Sequence, residues 1–127
     1  WALVRLWLDA CGWPTFVLSI DEPAMNDLDF ELATGGVPTR YALRRLLNDK
    51  LALPLRNAPG QVTGYVPYEQ GLAMRDAWQK AIATLSPHNA TTAFQLATWL
   101  KNLEGWADYA RRAHHPLPDL VASFTTA

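Results

Sequence analysis

Residues 68–113, YEQGLAMRDAWQKAIATLSPHNATTAFQLATWLKNLEGWADYARRA, carry the pattern that decides the fold of this chain. Met74, Trp78, Ala81, Ile82 and Leu85 recur at helical spacing, and Pro67 stands where a helix begins. After a turn at Ser86–Asn89 a second stripe follows: Leu96, Trp99, Leu100, Leu103, Trp106, Ala107 and Ala110. It predicts one helix from about Ala90 to Ala113, with Gly105 on the polar side at small cost. Two such helices joined by a short turn make a long antiparallel α-hairpin, roughly 27–35 Å at 1.5 Å per residue.

Working outward, Thr39 has the chemistry of an N-cap for a helix through about Leu53, stopped by Pro54. Leu43, Leu46, Leu47 and Leu51 form its buried stripe, and Arg40, Arg44 and Arg45 fall outside it. Residues 54–67, PLRNAPGQVTGYVP, hold three prolines and two glycines, so Pro59-Gly60 predicts an exposed hairpin or long loop before Val62–Val66. Phe16–Ile20 fits a short strand or an extended packing segment. Asp21–Glu31 carries five acidic residues and no basic one; it is expected as a surface acidic loop, with a helical turn at Phe30 and Leu32 broken by Thr34-Gly35-Gly36. At the other end, HHPLPDLVASF (114–124) predicts a short terminal helix after Pro118.

The opening stretch WALVRLWLDACGW has Arg5 and Asp9 as its sole charges through Cys11, and Gly12 and Pro14 stop it. A helix apolar on nearly every side is either central or covered by another subunit. The expected architecture is therefore one mainly α, multi-helix domain over 1–127, with a long antiparallel α-hairpin and short irregular or β insertions. A start at Trp1 suggests a piece of a longer protein.

Of 127 residues, 50% are hydrophobic and 18% charged, enough apolar material for a core and too much for disorder. A net charge of −1 gives no whole-chain footprint for nucleic acid or anionic membrane. Cys11 alone allows no internal disulfide and fits a reducing compartment, where it serves as a small hydrophobe. The Trp1–Cys11 run is too short to span a bilayer, so no membrane insertion is expected.

Catalytic patterns are missing. His88, His114 and His115 lie beside prolines without metal-ligand spacing, and Asp27, Asp29 and Glu31 have no recognisable base or nucleophile partner. Gly35-Gly36 lacks the context of a phosphate loop. The expectation is a non-enzyme with no metal or other cofactor. Arg40, Arg44, Arg45, Lys50 and Arg56 would suit phosphates, but Asp49 is placed to pair with Arg45 and acidic residues lie just upstream. A solvated or intersubunit ion-pair face is the preferred reading, with no nucleic-acid partner. Trp78, Trp99 and Trp106 belong to core stripes, whereas Trp1, Trp7 and Trp13 are hard to bury together. Aromatic residues are enriched at association hot spots. The candidate oligomer interface is accordingly Trp1, Leu3, Trp7, Trp13, Arg40, Arg44 and Arg45, with the acidic 21–31 and basic 40–50 segments meeting head to tail between copies.

Four strings carry a family resemblance: RLWLDACGWPTF (5–16), ELATGGVPTRYALRRLLNDKLALPLRN (31–57), GQVTGYVPYEQ (60–70) and LSPHNATTAFQLATWLKNLEGWADYARRA (85–113). Together they resemble the VasL-type C-terminal domain of TssA-like, ImpA-related proteins of the bacterial type VI secretion system. The resemblance implies a cytoplasmic, non-enzymatic assembly factor that forms hexameric rings, two of which join back to back as a dodecamer. Its implied partners are the baseplate, membrane-complex, tube and sheath proteins of that apparatus. The same domain type occurs in accessory proteins that stop sheath elongation, which the residues do not separate from the cap protein. A monomeric peptide-binding adaptor with an aromatic groove is the alternative from another class.

Overall fold

The computed structural model describes residues 10, 15–48 and 56–125, and these form a mainly α structure with one small sheet. After an extended stretch at 15–20, helix α1 spans Glu22–Thr34 and two 3-10 turns follow at Thr39–Tyr41 and Leu43–Leu47. Strand β1 (Gln61–Val66) leads into α2 (Tyr68–Ala81), α3 (Pro87–Leu100), α4 (Asn102–Arg112) and strand β2 (Leu120–Thr125). The expected opening helix, with Trp1, Leu3, Trp7, Cys11 and Trp13, lies outside the described residues.

The acidic stretch is a helix and not a loop. Asp21 caps it by accepting from Ala24 N–H at 2.8 Å, and Met25, Leu28 and Leu32 form its buried face. Its C-terminus closes with Val37 N–H on Leu32 C=O at 2.9 Å and Gly36 N–H on Ala33 C=O at 3.1 Å. That pairing requires the left-handed φ of +93° that Gly36 supplies.

The helix expected from Thr39 is instead two separate 3-10 turns, because Ala42 is extended at φ −61°, ψ 150°. Two hydrogen bonds explain the break. Asp29 on α1 takes Leu43 N–H at 2.6 Å, and the Arg40 carbonyl, which an α-helix would offer to Arg44, accepts from Gln70 Nε2 at 3.3 Å. The predicted continuation to Leu53 lies outside the described residues.

The helix expected over 90–113 is likewise divided. It begins at Pro87 and is interrupted at Lys101, where Asn102 Nδ2 donates to Trp99 C=O at 2.9 Å. Lys101 itself keeps right-handed angles of φ −58°, ψ −27°, so α3 passes into α4 without a loop. The stripe nevertheless falls where its spacing predicts: Leu96, Leu100, Leu103, Ala107 and Ala110 are buried. Trp78, 1% exposed, sits in the same core and donates its indole N–H to Tyr41 C=O at 2.8 Å. Truncating a tryptophan so enclosed costs about 3–5 kcal/mol.

The C-terminal tail is a strand and not a helix. β2 pairs antiparallel with β1 from Gln61↔Thr125 to Val66↔Leu120. Pro59-Gly60 does make a turn, with Gly60 at φ +74° and Gln61 N–H on Ala58 C=O at 3.0 Å, but the strand it feeds finds its partner at the far end of the chain. Leu43–Leu47 packs against this sheet at Gly64, where an added Cβ would lie 2.0 Å from the Leu46 carbonyl oxygen.

Candidate association surface

The acidic residues of α1 are spent inside the chain. Glu31 accepts from Ser86 N–H and Oγ, both at 3.0 Å, and from Asn89 Nδ2 at 2.8 Å. It therefore supplies the N-terminus of α3 with the acceptor that Ser86, which makes no capping bond of its own, does not. Asn89 is buried and also donates to Asp27 Oδ2 at 2.9 Å. These bonds, Asn89 foremost, hold the Glu31 carboxyl below its usual range. Asp29 serves the second 3-10 turn through Leu43 N–H at 2.6 Å and Arg44 N–H at 3.2 Å. Burial outweighs both bonds and the nearby Arg44 charge, and pushes its carboxyl above the ordinary value. Asp119 does the same for α2, accepting from Tyr68 N–H at 2.9 Å and from the Tyr65 hydroxyl at 2.7 Å.

The three arginines proposed as interface have different surroundings. Arg44 contacts Glu22 at 3.3 Å and Asn26 Oδ1 within its own chain, so the acidic and basic segments meet intramolecularly here. Arg40 is exposed, its guanidinium 4.9 Å from the centre of the Tyr41 ring. Arg45 is exposed with no carboxylate partner among the described residues; Asp49, its expected i,i+4 partner, lies outside them. The other candidates, Trp1, Leu3, Trp7 and Trp13, also lie outside.

His88, His114 and His115 are all exposed. His114 has a backbone role: at φ +56° it closes the end of α4, with His115 N–H on Ala110 C=O at 2.8 Å. Among the described residues no three His, Cys, Asp or Glu side chains are grouped to hold a metal, and no helix is long and apolar enough to cross a membrane.

An apolar groove of about 190 Å³ opens between residues 16–20, the sheet and α3. Leu43, Leu46, Leu47 and Leu96 line it together with Trp99, Val121 and Phe124. Phe16 is 36% exposed at its rim and Val121 48%. Trp99 stacks between Phe16 and Trp106, with ring centres 6.0 and 5.6 Å away. Its indole nitrogen is buried without a hydrogen-bond acceptor among the described residues, an omission that costs about 1–3 kcal/mol. Sequence reasoning assigned Trp99 to the core and missed the strip. The available signal was the alternation of Leu120, Ala122 and Phe124 inward with Val121, Ser123 and Thr125 outward.

No family model, no curated protein and no solved structure matches the chain.

Proposed function

We propose that this chain is an oligomerisation domain of a TssA-like protein, a non-enzymatic assembly factor of the type VI secretion apparatus acting in the cytoplasm. The secretion-system assignment rests on the sequence resemblance to VasL-type domains. The observation that supports an association role is the exposed apolar edge of Phe16 and Val121 at the Trp99 groove. Apolar surface of this kind marks association sites on water-exposed proteins. Asp29, Glu31 and Asp119, by contrast, are committed to backbone N–H groups at the starts of helices and turns, which favours association through apolar contact over the acidic segment. In this reading the strip packs between copies in hexameric rings, with α2, α3 and α4 as the hairpin arm toward baseplate, tube or sheath proteins. An accessory sheath-stopping protein of the same domain type would use the surface in the same way.

The test is the solution mass by light scattering over a range of concentration and salt. A stable multiple of six subunits supports the ring, and Val121→Asp, at a half-exposed position, should dissolve it. A monomer at every concentration overturns it. The apolar groove at Trp99 favours a second reading, a monomeric adaptor that seats a peptide side chain there. That reading predicts a monomer whose tryptophan fluorescence shifts on adding peptide.

A further inference from the structure

We infer that a second groove, between the C-terminal half of α1 and residues 37–48, is a docking site for an acidic protein segment bearing an apolar anchor residue. The groove encloses about 490 Å³ and shares no lining residue with the Trp99 groove. That volume suits one or two buried side chains. Its apolar wall is formed by Leu32, Ala33, Val37 and Phe30, the last 72% exposed and so an unusually open phenyl ring for a helix face. Its polar rim holds Arg44 and Arg45.

The charge at this rim selects the occupant. Arg44 is answered by Glu22 at 3.3 Å. The Asp29 carboxylate in the groove wall is already taken by the N–H groups of Leu43 and Arg44, at 2.6 and 3.2 Å. Arg45 is left with an exposed guanidinium and no carboxylate among the described residues, while Arg40 stands on the same segment against the Tyr41 ring. An incoming carboxylate would find Arg45 ready for a two-point hydrogen bond, beside an apolar recess for the adjoining side chain. A basic segment would meet the Arg44 and Arg45 guanidiniums and an Asp29 carboxylate already bonded to two N–H groups. The complementary partner is therefore acidic with one apolar side chain, the pairing of hydrophobic anchor and charged rim found at protein interfaces. Because the groove is distinct from the apolar strip, docking here goes beyond the assembly reading and does not depend on it.

Fluorescence anisotropy with short labelled peptides tests this: one of Asp and Glu around a single Leu, one with Ala for the Leu, and one with Lys for the acids. The acidic Leu peptide should bind saturably and lose affinity as salt rises. Arg45→Glu should weaken it about tenfold, Phe30→Ala about fivefold, and Arg111→Glu, at a distant exposed ion pair, not at all. Both altered groove residues are exposed, and a circular-dichroism melt confirms the fold of each variant. Absence of saturable binding, equal binding of the Lys peptide, indifference to both groove substitutions, or displacement by a DNA oligonucleotide at lower concentration would each overturn the proposal. Light-scattering mass taken on the same samples separates the two readings. Peptide binding by a monomer counts against the ring alone, and a ring without peptide binding counts against the groove alone.

Discussion

Two neighbouring segments of this chain have comparable charge density and opposite fates. The acidic residues of 21–31 find partners within the chain: Asp21, Asp29 and Glu31 each accept a backbone N–H at the start of a helix or turn. The basic residues of 40–45 stay at the surface, and only Arg44 finds a carboxylate among the described residues. The difference follows from what each side chain can offer. The first turns of helices leave N–H groups without acceptors, which carboxylates satisfy and guanidiniums, donors only, do not. The acidic segment is thereby structural and the basic one is left available for partners.

The largest expected effect comes from removing the seat of the basic segment. Gly64→Ala would drive a methyl into the Leu46 backbone and should destabilise by about 3 kcal/mol, seen as a lower urea midpoint. A variant as stable as the parent would mean that Leu43–Leu47 does not rest on β1. Next, Asp29→Ala leaves the Leu43 and Arg44 N–H groups without their acceptor and should cost about 2 kcal/mol, while Asp29→Asn, which retains one acceptor oxygen, should recover much of it.

Glu31→Gln should lower the melting temperature at neutral pH, and its pH dependence is diagnostic. Because the folded carboxyl titrates below its ordinary value of 4.5, Glu31 contributes stability above that pH and loses it as pH falls through the folded value. The deficit of Glu31→Gln should therefore shrink on acidification. Asp29 has the opposite sign: its value is raised above 3.8, so its contribution is lost as pH rises through the folded value and regained on acidification. The Asp29→Ala deficit should widen over the range in which the Glu31→Gln deficit narrows. Parallel melts from pH 3 to 7 decide this, and two deficits moving together would refute the assignment of causes. The smallest effect is at Arg45: Arg45→Ala should change stability by less than about 0.5 kcal/mol, since the exposed guanidinium meets the exposed Asn48 amide oxygen at 3.3 Å and no carboxylate among the described residues. A larger loss would make Arg45 structural and erase its contrast with α1.

Helical periodicity located the buried stripes of α2, α3 and α4, including Trp78, Leu96 and Leu103, because that signal is local and repeats along one element. The same pattern does not reveal the interruption at Lys101, since Asn102 competes for a single carbonyl without altering the apolar spacing. Within the candidate sites, the sequence marked Arg40, Arg44 and Arg45 as notable and offered Asp49 to Arg45, but gave no sign that Glu22 and Asn26 of α1 would meet Arg44. The apolar strip was less visible still, because Phe16 and Val121 are far apart in sequence and come to one groove only when β2 pairs with β1.

By itself the sequence determined a mainly α chain with a Trp-containing core, the helix break at Gly35-Gly36, the turn at Pro59-Gly60 and the start of α2 after Pro67. Each depends on residues within a turn or two of one another, so local sterics and spacing suffice. Tertiary structure alone decided the pairing of β1 with β2, the breaking of the Thr39 helix and the use of the acidic segment as caps. Those outcomes turn on acceptors brought from far along the chain, as when Glu31 meets Ser86 across 55 positions. A backbone N–H takes whichever acceptor the packed chain delivers, and only the assembled fold specifies which one that is.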